Sequence, residues 1–214
     1  MKTHVKNLKH AWVLLYMFVY FAWFFYLENR TNVDFTSISC KIDDFIPFNE
    51  IFVIPYILWF VYICVVVLYL LFVSKKEFYQ CTAFLFTGMT ICLFIYTIWP
   101  NSQDLRVQTF PRNNILTDLV NMFYTTDTPT NVCPSIHVYN SIGAHIAVWR
   151  CKSLKKNQFI RYGSLVLASL ICLSTMFIKQ HSFIDFACAS LLAAVMYILV
   201  YKGSSFFDKN KVCL

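Results

Sequence analysis

Residues 51–73 run without one charged side chain, from Ile51 to Val73. A helix rises 1.5 Å per residue, so a stretch of this length matches the roughly 30 Å hydrocarbon core of a bilayer. Residues 79–99 repeat the pattern after the short polar turn Lys75-Lys76-Glu77. A turn that short predicts two adjacent antiparallel membrane helices. The remainder of the chain follows suit: 58% of residues are hydrophobic and only 14% charged, where soluble domains carry about a quarter. Trp, Tyr and Phe make up 19%, which suits the aromatic belts of a polytopic protein.

Six spans are predicted, at 11–27, 51–73, 79–99, 134–149, 163–178 and 183–201. The fold class is therefore all-α, a six-helix transmembrane bundle forming one domain over residues 1–214. The segment 134–149 is the least apolar, since it holds Ser135, His137, Asn140, Ser141 and His145. Charge placement supports it. With the N-terminus inside, 13 of the 18 Lys and Arg fall on the inner side with two acids, and the outer side holds nine acids. That asymmetry predicts an even number of passes, with both termini cytoplasmic in the cell membrane. The basic start before residues 11–27 imitates a signal peptide, but no small-residue cleavage site follows, so a retained span is expected. The basic residues mark topology and lipid contact rather than a nucleic-acid footprint.

Nine cysteines show no metal-ligand spacing. Cys40 and Cys133 share the outer side, where a disulfide between them and two free thiols are both open readings. Outer segment 28–50 alternates acids with large apolar groups at Asp43-Asp44-Phe45-Ile46, the pattern of an interfacial segment. The outer loop 100–133 places Ile115, Leu116, Leu119, Val120 and Phe123 at helical spacing, predicting a short amphipathic helix over the site, with Asp118 on its solvated face.

Ionisable groups at the ends of apolar segments are costly and mark functional sites. His181 and Asp185 stand four apart at the outer end of the last span, hence on one helical face. A carboxylate there fixes the imidazole tautomer and raises the basicity of the free nitrogen. His137 opens the fourth span on the same side. Two imidazoles and an acid at one membrane face suit acid–base and nucleophilic chemistry. Arg106, Arg112 and Lys179 lie on that side and match a phosphate anion. His145, two turns deeper, reads as a packed core residue.

The two stretches resemble the signature of the type-2 phosphatidic acid phosphatase superfamily, closest to its inositol phosphorylceramide synthase-like and sphingomyelin synthase-like branch. The family's Pro-Ser-Gly-His is similar to Pro134-Ser135-Ile136-His137. Its Ser-Arg, five residues, His, three residues, Asp is similar to Ser174-Thr175, then His181 and Asp185 at full spacing. The first motif, Lys, six residues, Arg-Pro, is degraded: Arg106-Val107 is its best end and Arg112 the alternative, with no Lys seven before either. The resemblance covers about residues 100–200. It implies catalysis by His181, His137 and Asp185, phosphate binding by Arg106, Arg112, Lys179 and Ser135, and no metal or other cofactor. Implied too is a phospholipid or polyprenyl phosphate substrate at the extracytoplasmic face. The expected function is a metal-independent lipid phosphatase working through a phosphohistidine, or a phosphotransferase moving a headgroup to an alcohol with the same triad. A zinc hydrolase would need a general-base Glu of the His-Glu-x-x-His kind, and a non-enzymatic transporter would need charged or helix-breaking groups at mid-bilayer.

Overall fold

In a computed structural model, residues 8–202 are described. Lys2, Lys6, Asp208, Lys209 and Lys211, which entered the charge count, lie outside the described residues. Among the described residues, five helices are long and apolar enough to cross a membrane, which marks the chain as an integral membrane protein. The first joins a 3-10 helix, Leu8–Leu15, to α1, Tyr16–Glu28. α3, Val53–Val73, and α4, Lys75–Ile98, form the expected antiparallel pair, with Ser74 between them capping α4 through Glu77 N–H. α7 is Gln158–Phe177, capped by Asn157, and α8 is Phe183–Tyr197. Between α1 and α3 lies a single helical turn, α2, Lys41–Phe45.

The polar fourth segment is a helix, α6, Ile136–Arg150. Its 15 residues measure about 22 Å at 1.5 Å each, short of a bilayer core. It packs against α3, α4, α7 and α8 at the centre of the bundle. Protein rather than lipid therefore surrounds most of it, which is why Asn140, Ser141 and His145 are tolerated there. Close approach to α4 depends on small residues. A Cβ on Gly88 would lie 1.9 Å from the Tyr139 ring, and one on Gly143 would lie 2.5 Å from Phe84. Small residues at such crossings are how membrane helices pack, since lipid supplies no hydrophobic drive to associate. Tyr139 is buried against Phe84, its ring stacked at 4.9 Å and its hydroxyl donating to the Phe84 carbonyl at 2.7 Å.

The two ends of the bundle differ. At one, Glu77 accepts hydrogen bonds from Cys151 Sγ and Lys152 N–H, joining the 74–77 turn to the basic segment after α6. The other carries the long connections 29–52 and 99–135, tied together by a two-residue parallel ladder of β1, Thr36–Ser37, and β2, Asn101–Ser102. Here α5, Ile115–Thr126, forms where the apolar spacing predicts a helix. Asn114 caps it, and it packs beside residues 50–52 and the start of α3, with Asp118 exposed.

Candidate active site

The connection from β2 onward acts as a staple between the two stretches that carry the histidines. Asn101 is fully buried. Its Oδ1 accepts from Val132 and Cys133 N–H at 2.8 Å each, and its Nδ2 donates to the Cys133 carbonyl. Gln103 Nε2 donates to the Lys179 carbonyl at 3.2 Å, and Gln103 N–H to the Pro129 carbonyl. Segment 101–103 therefore fixes the approach to α6 and the α7–α8 turn at once. Ser135 N–H then donates to the Asp185 carbonyl at 3.3 Å, joining the start of α6 directly to α8.

This brings the expected triad together. The rings of His137 and His181 have centroids 5.5 Å apart. His181 Nδ1 lies 3.3 Å from Asp185 Oδ2, which also accepts the Ser182 N–H at 2.9 Å. Asp185 is fully buried, and its Oδ1 has no hydrogen-bond partner among the described residues. Tyr56 and Trp59 of α3 hold the His137 ring, with centroids 4.8 and 4.2 Å away.

Both imidazoles line the end of a cavity of about 510 Å³. Its polar end adds Glu28, Asp127, Thr128, Thr130 and Gln180. Apart from Asn140 of α6, the rest is mainly apolar, formed largely by α1, α3 and α4, and it extends from Glu28 along α1 to Leu14 just before it, roughly 20 Å. α1 packs along α4, and the 3-10 helix preceding α1 touches α3. The cavity wall there includes Phe21 and Phe60, both exposed on the outside of the bundle.

The expected phosphate ligands are placed differently. Arg112 pairs with Glu50 at 3.0 Å, its side chain 64% exposed. Lys179 sits in a left-handed turn (φ 56°) and donates through Nζ to the Asp43 carbonyl at 2.8 Å. Ser135 is fully buried and caps α6, its Oγ accepting from Val138 N–H. Arg106 comes nearest. Its Nη1 donates to the carbonyls of Tyr124 and Asp127, its Nη2 to Gln180 Oε1 at 2.7 Å, and its plane lies over the Tyr124 ring. None of these four lines the cavity. A cation or hydroxyl in a structured loop engages local carbonyls and carboxylates, and sequence spacing carries no record of them. α5 likewise does not roof the cavity; the segment after it, from Asp127 to Val132, does.

Three positioning residues escaped the sequence reading: Asn101, Gln103 and Asp43. Asp43 is 3% exposed. It accepts Ser182 Oγ at 2.7 Å and Phe183 N–H at 2.8 Å, so a carboxylate from α2 caps α8 at the turn bearing His181. Burial works against its charge, but these bonds with those from Cys40 outweigh it and hold the carboxyl below its usual range. The alternation of acids with apolar groups is the only trace of this in the sequence, and it reads equally well as an interfacial segment. Asp127 goes the other way. Burial, then the Glu28 charge, raises its carboxyl to about 6, and Arg106 and His181 offset this only in part.

Cys40 and Cys133 are free thiols; Cys133 is buried, its thiol pushed up first by burial and then by the Asp185 charge. Among the described residues no three His, Cys, Asp or Glu side chains gather as a metal-binding group. No family model, no curated protein and no solved structure matches the chain.

Proposed function

We propose that the protein is a membrane lipid phosphatase that hydrolyses a phosphate or diphosphate ester through a phosphohistidine. The observation that carries this reading is the pair of imidazoles, 5.5 Å apart and one of them backed by Asp185, at the polar end of a tail-length apolar cavity. A ligand matching both halves has an apolar chain and a headgroup reactive toward nucleophiles. Exposed Phe21 of α1 and Phe60 of α3 line this cavity, so such a chain would enter from the bilayer along that wall.

With Nδ1–H donated to Asp185, the lone pair on His181 Nε2 attacks phosphorus. The P–O ester bond breaks as the P–N bond forms, and protonated His137 gives its proton to the leaving alkoxide. Asp185 balances the charge that develops on the His181 ring. Neutral His137 then takes a proton from water, the hydroxide oxygen attacks phosphorus, and the P–N bond breaks to release phosphate. Arg106 acts behind the pocket, within the electrostatic field that stabilises the phosphoryl oxygens.

A second reading, phosphotransfer to an alcohol, is favoured by the cavity's own lining. Glu28, Asp127, Thr128 and Thr130 are acceptors suited to hydroxyls of a polyol headgroup or acceptor alcohol. Both routes pass through the same intermediate.

For orientation, we infer six passes with α6 completing the bundle from inside, in the cell membrane. The end holding Lys75, Lys76, Arg150, Lys152, Lys155 and Lys156 then faces the cytoplasm, by the positive-inside rule. The histidine end faces outward. Labelling of cysteines introduced at Asn113 and at Lys156, each in a Cys40→Ser background, by an impermeant thiol reagent tests this, with only Asn113→Cys reactive in intact cells.

The deciding assay presents the reconstituted protein with a panel of lipid phosphates and diphosphates, with chelator throughout, with and without an alcohol. Free phosphate and lipid products are both measured. Phosphate release supports the hydrolase, and a new phosphodiester the transferase. No turnover of any member of the panel defeats both.

A further inference from the structure

Buried hydrogen-bonding groups without partners are rare in folded proteins, and each calls for an explanation. One of them is Gln180 Nε2, on a residue only 3% exposed that lines the cavity immediately before His181. Its orientation is not arbitrary. Arg106 Nη2 can only donate, so the atom it meets at 2.7 Å must be the amide oxygen. The NH2 is left as the free end of the side chain. The main chain beneath is equally fixed, since Gln180 N–H and His181 N–H both donate to the Thr175 carbonyl at 2.9 and 3.0 Å. Arg112 and Lys179, meanwhile, are engaged with Glu50 and with the Asp43 carbonyl.

We propose that Gln180 donates to the phosphoryl oxygens of the bound headgroup, and that Arg106 is the positioning residue that holds its amide for the task. This rests on the reading above and deepens it, assigning the phosphate contact to a neutral amide. A phosphoryl group beside His181 gives Nε2–H the acceptor that the protein withholds. The guanidinium contributes its charge at one remove, polarising the amide through the bond to Oε1.

Gln180→Glu keeps the volume and the Arg106 contact but replaces the donor by an acceptor. Gln180→Met removes both polar atoms at similar length. Each is expected to lower kcat/KM about 100-fold or more, the scale of losing one oxyanion donor. Each should also weaken inhibition by orthovanadate at least tenfold, with the thermal midpoint in detergent little changed. Arg106→Leu should cost activity in the wild-type background and nothing further in Gln180→Met, since residues acting through one bond are non-additive. A Gln180→Glu or Gln180→Met protein that folds and stays within about threefold of wild type in kcat/KM and orthovanadate inhibition overturns the proposal.

A direct measurement separates this from the reaction itself. Binding of inorganic phosphate is followed by 31P line broadening in wild type, His181→Ala and the Gln180 variants. Loss in the Gln180 variants but not in His181→Ala supports the contact even if no lipid phosphate is turned over. Wild type that binds no inorganic phosphate overturns it.

Discussion

Two groups of polar side chains lie inside this bundle, and they are built on opposite plans. The first is the chain Tyr62–Ser164–His145: the Tyr62 hydroxyl meets Ser164 Oγ at 2.7 Å, and His145 Nδ1 meets the same oxygen at 3.2 Å. Each member finds its partner within the group. The second surrounds His137 and His181, where Asp185 Oδ1 and Gln180 Nε2 are buried and unpartnered. The satisfied group joins α3, α6 and α7 without lining the main cavity; the unsatisfied one supplies His137, His181 and Gln180 to that cavity's polar end, with Asp185 buried behind them. Both groups contain histidine, so the presence of an imidazole does not separate them; the difference lies in completeness. A network that closes on itself stabilises, and one left open has atoms to offer a ligand.

The largest effects expected are those that break the open group. His181→Ala and His137→Ala should each lower turnover of the responsive lipid phosphate by about 1,000-fold or more, the scale of deleting a nucleophile or its proton-transfer partner. Insertion and thermal midpoint should stay near wild type. Either variant working at full rate would remove that residue from the chemistry.

Next comes the cap that holds the open group in register. Asp43→Ala deprives Ser182 Oγ and Phe183 N–H of their acceptor. Loss of a helix cap costs about 1–2 kcal/mol, and a small displacement of His181 should reduce kcat about tenfold. Asp43→Asn, which keeps one acceptor oxygen, should fall between the two. If Asp43→Ala lowers the thermal midpoint but leaves kcat untouched, α2 serves the fold and not the site.

Asp127 tests the open group through pH. Its carboxyl moves from 3.8 to about 6 on folding. The folded state therefore binds more protons than the unfolded state across this interval, and stability falls as pH rises through it. Each unit corresponds to 1.36 kcal/mol; partial solvent contact reduces the whole to about 1–2 kcal/mol. Asp127→Asn should abolish this slope and raise the thermal midpoint at pH 7 while leaving it unchanged near pH 4. Asp43 contributes in the opposite sense and in a separate window. Its carboxyl is held low, so its stabilisation is present above 3.8 and lost in more acid solution. A wild-type midpoint flat between pH 4 and 7 would contradict the placement of Asp127.

What the sequence disclosed divides along the same line. The helices were legible because apolar length is a one-dimensional signal: 51–73 and 79–99 reappear as the bodies of α3 and α4, joined at Ser74. The triad was legible because His181 and Asp185 are helical neighbours and His137 opens a segment ending at the same side. Segment 134–149 was faint because α6 is wrapped by other helices, and hydropathy measures contact with lipid rather than with protein. The surroundings of Arg112, Lys179 and Ser135 were not legible, because the partners that engage them depend on how distant loops meet. Asn101 shows the limit best. It organises residues 132 and 133 from 31 and 32 positions away, and nothing in its surroundings of Trp99, Pro100 and Ser102 announces it.

The smallest effect expected belongs to the closed group, and it is the one that gives the contrast its meaning. His145→Leu removes the imidazole but leaves Ser164 bonded to Tyr62. Hydrogen bonds between membrane helices are worth about 0.6 kcal/mol on average, and Leu recovers apolar contact, so the thermal midpoint should shift by only a few degrees. Turnover should remain within about threefold of wild type, with no change in the shape of the pH–rate profile. The same change at His137 should abolish activity, although both histidines stand on one helix, two turns apart. If His145→Leu proves as damaging as His137→Leu, partner satisfaction does not separate structural from functional histidines here. The unpaired atoms around the cavity would then lose their standing as evidence, and the assignment of Gln180 with them.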